Sequence, residues 1–84
     1  MEKNTEIIIL NESDLDINID IRKICWAMIQ KGYDIENQMA GYILSKDPIY
    51  ITNYLNARNV ISKYNVEEIL QYFINYYVEK EIVK

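Results

Sequence analysis

Both glycines of this chain, Gly32 and Gly41, and its only proline, Pro48, fall within one stretch, residues 31–63. This placement restricts the fold more than any other feature, because these residue types end helices, reverse the chain or let two backbones approach closely. Outside the stretch no glycine or proline interrupts regular structure; an amphipathic segment precedes it and a long apolar one follows. The expected fold is all-α, a compact bundle of about four helices whose breaks are concentrated at the centre of the chain.

Ile17, Ile21, Ile24, Cys25, Met28 and Ile29 follow the i, i+3, i+4, i+7 spacing of one helical face. DLDINIDI also alternates as a strand would, but the helical pattern is longer and has proper ends. Ser13 can cap, with Asp16 three residues on; acids fill the first turn, and Gly32 follows Lys31 as a C′ glycine should. A helix is expected over 14–31, with Trp26 about 130° from the centre of its apolar stripe, at the core's edge or against a partner. Asp34 is the next cap, and Ile35, Met39, Tyr42 and Ile43 form the second apolar face. Gly41 should admit a close neighbour, and the helix should end near Ser45, because Asp47 before Pro48 is biased out of the helical region. Asp47 and Pro48 suit the cap and first position of a short turn.

A third helix is then expected from 52 or 53 to 63, presenting Leu55, Ala57, Val60, Ile61 and Tyr64 around Arg58. Arg58 is read as an internal partner of Asp47 or Glu36, clamping the central loop. Asn65 with Glu68 is a capping box for the last helix. There Ile69, Leu70, Phe73, Ile74 and Tyr77 are expected on one face, while Tyr72, Tyr76 and Val78 spread the apolar arc beyond it. A helix apolar on more than one side is either central to its own fold or half of an interface. A homodimer is expected, with Trp26, Tyr72 and Tyr76 as candidate contacts to a second copy or another partner.

The chain carries a formal charge of −4, with its acids crowded into the N-terminal third. It lacks the basic footprint of a phosphate-backbone binder, so nucleic acid is not an expected partner. The alternative, a small helical nucleic-acid-binding domain built as a helix-turn-helix, would have only Arg58 and Lys63 to offer. Histidine, the commonest general base and a common metal ligand, is absent from the sequence. Cys25 lies on an apolar stripe with no histidine to activate it, which suits a buried structural thiol. Asp14, Asp16, Asn18 and Asp20 resemble the start of a calcium loop, but Ile19 stands where its glycine should be and Cys25 where its glutamate should be. A solvated, helix-starting acidic face is expected instead.

No catalytic residue, cofactor or metal is assigned. One cysteine precludes an intramolecular disulfide, and the longest early apolar run, residues 7–10, is far below the roughly 20 residues of a spanning helix. The expected setting is the cytoplasm, without membrane insertion. Residues 1–13 are read as a flexible N-terminal arm with a sticky aliphatic patch, and 14–84 as a single helical domain.

Lys31-Gly32-Tyr33, Asn37-Gln38, Gly41-Tyr42, Leu44-Ser45, Asp47-Pro48, Tyr50-Ile51-Thr52, Ala57-Arg58, and Ile61 with Lys63 resemble, in order and spacing, the IreB family. These are small regulatory phosphoproteins of Gram-positive bacteria. The resemblance implies a compact helical core with a flexible arm, dimerisation and no enzymatic activity. It also implies phosphorylation of an arm threonine by a membrane-anchored Ser/Thr kinase with extracellular PASTA repeats, and a downstream protein that the sequence does not name. The output it implies is control of the cell-envelope stress response and of resistance to cell-wall antibiotics. Thr5 matches the family's arm threonine; Ile8 stands where an aromatic would follow three positions on, and a second arm threonine found in some members has no counterpart.

Overall fold

The computed structural model describes residues 12–83, so Thr5, the aliphatic residues 7–10 and the expected flexibility of the arm lie outside the described residues. Four α-helices are present there: α1 (Glu12–Gln30), α2 (Ile35–Ser45), α3 (Ala57–Ile61) and α4 (Val66–Tyr77). Two 3-10 turns, Pro48–Tyr50 and Tyr54–Asn56, join α2 to α3, and a π-helical segment, Val78–Val83, continues α4. Among the described residues there is no strand.

The apolar stripe of α1 forms the floor of the core: Ile17, Ile21, Ile24, Ala27 and Met28 are all buried. Ile29, expected on this stripe, is instead 57% exposed. The helix also starts two residues earlier than expected, at Glu12, so the position read as its cap falls within its first turn. At the other end Gly32 adopts φ 77°, and the amides of Gly32 and Tyr33 donate to the carbonyls of Ile29 and Met28. That pair of bonds is a Schellman closure, and it depends on a residue able to enter the left-handed region.

Asp34 caps α2, its carboxylate accepting from the backbone and side-chain amides of Asn37. Met39 and Tyr42 are the buried face of that helix. As expected, α2 stops at Ser45, and Asp47 accepts from the amide of Ile49 to cap the turn that Pro48 opens. Ile51 enters the core from this turn with no exposed surface.

The third helix is much shorter than expected. Leu55 (φ 53°) and Asn56 (φ 63°) are both left-handed, so only Ala57–Ile61 is α-helical. The Thr52 hydroxyl accepts from the amide of Tyr54 and offers the backbone a turn in place of a helix. Leu55 is 60% exposed and contributes nothing to the core, contrary to expectation, while Ala57 and Ile61 are buried.

The capping box of α4 is present in both directions between Asn65 and Glu68. Its expected single apolar face is split. Val66 and Ile69 are buried and Phe73 packs on them, but Leu70, Ile74 and Tyr77 are 42%, 54% and 62% exposed. The 66–69–73 line of α4, with Tyr72 beside it, meets the core, and the opposite flank of the helix does not.

Candidate functional site

Two open grooves lie along the seam between α1 and α4. Its centre is Tyr72, half-buried, whose hydroxyl accepts a 2.5 Å hydrogen bond from the Asn18 side chain. Arg22 Nε in turn donates to Asn18 Oδ1 at 3.0 Å, so a single turn of α1 holds the tyrosine in place through a relay of amide and guanidinium. Tyr72 is the ridge between two open grooves.

On one side lies a groove of about 270 Å³ walled by Asn18, Arg22, Cys25, Tyr72, Phe73 and Tyr76, with buried Ile21 at its floor. Its aromatic wall is continuous: the ring of Tyr72 lies 5.7 Å from that of Phe73 and 6.2 Å from that of Tyr76. Outside the lining, Lys80 Nζ sits 5.3 Å from the Tyr76 ring centroid. Burial pushes the Cys25 thiol above its ordinary pKa, which keeps it protonated and unreactive at neutral pH.

On the other side lies a polar groove of about 470 Å³ with Asp16, Lys63, Tyr64, Glu68, Gln71 and Asn75 on its walls. At its edge Asp20 is buried, 7% exposed, accepting 2.6 Å from the Tyr64 hydroxyl and lying 3.0 Å from Lys63 Nζ. Burial alone would raise the Asp20 pKa, but the bonds from Tyr64 and Lys63 and the Lys63 charge outweigh it, and the carboxyl titrates below its ordinary value. The Tyr64 hydroxyl is driven well above its ordinary pKa, first by burial and then by facing that carboxylate. Neither group exchanges a proton near neutrality, so the cluster pins α1 to the α3–α4 connection and does no acid–base work. Asp20 was expected to be solvated. The signal that places it inside is its spacing, three after Ile17 and four before Ile24 on the buried face. Asn18 is likewise committed, to Tyr72, so the run from Asp14 to Asp20 is a helix with inward-tied polar groups and no loop for a cation. Among the described residues no three His, Cys, Asp or Glu side chains gather to hold a metal.

The central stretch is architectural. A Cβ on Gly41 would stand 2.5 and 2.6 Å from two atoms of the Tyr50 ring, so glycine is required for the turn to lie against α2. Gln38 Nε2 donates to the Tyr50 carbonyl, and Arg58 Nε donates to the carbonyls of Pro48 (3.1 Å) and Ile51 (3.0 Å). Arg58 therefore does clamp the loop, but through backbone carbonyls; the expected carboxylate partners, Asp47 and Glu36, do not receive it. Thr52, buried, donates its amide to the Met28 sulfur. Gly32, Asn37, Gln38, Gly41, Tyr42, Asp47, Pro48, Tyr50, Ala57 and Arg58 thus serve caps, turns and core, and Tyr33 follows the α1 closure, 38% exposed.

Of the candidate interface residues, Tyr72 and Tyr76 are neighbours on the apolar groove. Trp26 lines neither groove and projects from α1, 57% exposed, as Ile29 does one turn on. The helix-turn-helix reading loses its parts: α3 is five residues long, Arg58 is engaged with carbonyls and Lys63 with Asp20. No helix among the described residues is long and apolar enough to cross a membrane.

The family described as IreB regulatory phosphoprotein matches residues 3–79. A UPF0297 protein of Lachnoclostridium phytofermentans is 37% identical over 82 residues, covering 98% of this chain and 84% of the relative. A UPF0297 protein of Ruminiclostridium cellulolyticum is 41% identical over 69 residues, covering 82% of this chain and 78% of the relative. The match runs through both helices of the seam and the whole central clamp, and the chain belongs to the IreB family of regulatory phosphoproteins.

Proposed function

We propose that this chain is a non-enzymatic, cytoplasmic regulator that works as a homodimer by binding other proteins, and that a membrane-anchored Ser/Thr kinase of the PASTA type switches it by phosphorylating Thr5. Its output is control of the cell-envelope stress response and of cell-wall antibiotic resistance. The observation that carries this reading is the family match, which begins at residue 3 and so includes Thr5. The fixed pair of Asp20 and Tyr64 supports it, since two groups held away from proton exchange near neutrality suit a scaffold better than a reaction centre.

The switch acts through charge. Phosphate adds about −1.5 to −2 charge to Thr5, close in sequence to Glu2, Glu6 and Glu12, with Lys3 the nearby cation. Repulsion favours an arm withdrawn from the body, and the unmodified arm favours a docked state; the modification shifts the population between them. Trp26 with Ile29 on α1 is the contact for the downstream protein.

Incubating the full chain with the kinase domain and ATP should add one phosphate, seen by intact mass, and Thr5→Ala should abolish it. Unchanged phosphorylation of the Thr5→Ala chain would remove Thr5 from the switch.

A further inference from the structure

We propose that residues 7–10 of the unmodified arm dock into the apolar groove between α1 and α4, against Tyr72, Phe73 and Tyr76, with Arg22 meeting the arm's acidic side chains. The inference rests on the reading of the arm as the switch and supplies the place where its docked state is held.

Four observations carry it. The first is reach. Eleven residues precede Glu12, where α1 begins, and the groove spans Asn18 to Cys25 on the same helix. At about 1.5 Å per residue those two lie about 9 and about 20 Å along the axis from Glu12. An extended chain covers about 3.3 Å per residue, so an arm that turns back at Asn11 brings its aliphatic run level with the first half of the groove, Ile7 reaching at most about 17 Å.

The second is the match of surfaces. Ile7, Ile8, Ile9 and Leu10 are the only aliphatic residues of the arm beyond Met1, and the groove is the aromatic-walled one, floored by Ile21. The third is charge. Arg22 is the one charged residue of this groove, and its Nε bond to Asn18 leaves four further guanidinium N–H donors. Glu6 stands immediately before the aliphatic run; in the same alignment it reaches at most about 20 Å along the axis and Arg22 lies at about 15 Å, a gap that an arginine and a glutamate side chain span.

The fourth is that the competing groove repels the same segment. It presents Asp16 and Glu68, and its lysine, Lys63, is already 3.0 Å from Asp20. Glu6 and Glu12 brought there would meet like charge. Tyr72, fixed by Asn18, is the wall that separates the two choices.

The test uses the full, unmodified chain with isotope-labelled isoleucine methyls. Docking predicts nuclear Overhauser contacts from the δ1 methyls of Ile7, Ile8 or Ile9 to the ring protons of Tyr72, Phe73 or Tyr76, with those methyls moved upfield of random-coil positions. Arg22→Glu, an exposed change on α1, should return the methyls to random-coil positions, with changes in the spectrum of the body confined to Asn18 and Tyr72, whose relay loses its guanidinium. Tyr76→Ser should do the same by removing the outer wall. Random-coil methyls in the parent chain, contacts to a different face, or an arm unmoved by both variants would overturn the proposal. So would contacts seen only between differently labelled copies, because the arm would then be swapped. No phosphate is involved in this experiment, so its failure leaves the Thr5 phosphorylation test standing, and loss of phosphorylation leaves the docking result standing.

Discussion

Asp20 shows how much a single side chain can decide in a body this small. Its carboxylate is buried yet held ionised by Tyr64 and Lys63, with a folded-state pKa below the ordinary 3.8. A depressed folded pKa means a stabilising contribution that is complete above the unfolded value and fades as pH falls through the folded one. Urea unfolding of the parent and of Asp20→Asn should therefore differ most at pH 7, with the parent more stable, and the gap should close as pH drops below about 3.8, the region where carboxylates protonate. A gap that stays constant with pH would show that packing and not charge is responsible. The residue was legible only in part. Its spacing on the buried face of α1 was visible, but its partners lie 43 and 44 positions away, and nothing local in the sequence pairs an acid with a tyrosine that distant.

At the scale of elements, the ends were readable and one middle was not. Asp34, Asp47 with Pro48, Gly32 and the Asn65–Glu68 box are local signals whose chemistry is complete within a few residues, and each works where expected. The reversal at Leu55 and Asn56 has only half a signal: asparagine tolerates the left-handed region, but nothing about a leucine announces it. That reversal is what turns Arg58 toward the 48–51 turn. Arg58→Ala should leave the Pro48 and Ile51 carbonyls without their charged donor and cost about 1.5–3 kcal/mol in denaturant unfolding. Gly41→Ala drives a methyl into the Tyr50 ring, and a cost of about 1–3 kcal/mol is expected. The Gly41→Ala loss should shrink when Tyr50 is also truncated to alanine, since the methyl then has room; strictly additive losses would place the strain elsewhere.

For the molecule as a whole, the important division is between the two flanks of α4. Tyr72 and Tyr76 turn toward α1, whereas Leu70 and Ile74, with Tyr77 near the end of the helix, form an exposed row on the other side of the buried line. The sequence revealed the surplus of apolar residues but not their partition, which depends on where the other helices lie. In the homodimer proposed above, the Leu70–Ile74–Tyr77 row is the contact expected between copies, which leaves the Tyr72–Tyr76 side to the proposed arm docking. Light scattering of the full chain should return twice the 10.0 kDa chain mass. Ile74→Asp, at a position already 54% exposed, should halve it without unfolding the protein, as judged by circular dichroism. A parent mass of 10.0 kDa would remove the dimer.

Trp26 is the only tryptophan in the chain, and more than half of it meets water in the folded protein. Its emission is accordingly close to that of an unfolded chain before any denaturant is added, and a melt followed by its fluorescence would register little. The same property makes it a built-in optical reporter of engagement: any protein that covers this part of α1 should move the emission to shorter wavelength, so a partner can be titrated against the unlabelled regulator.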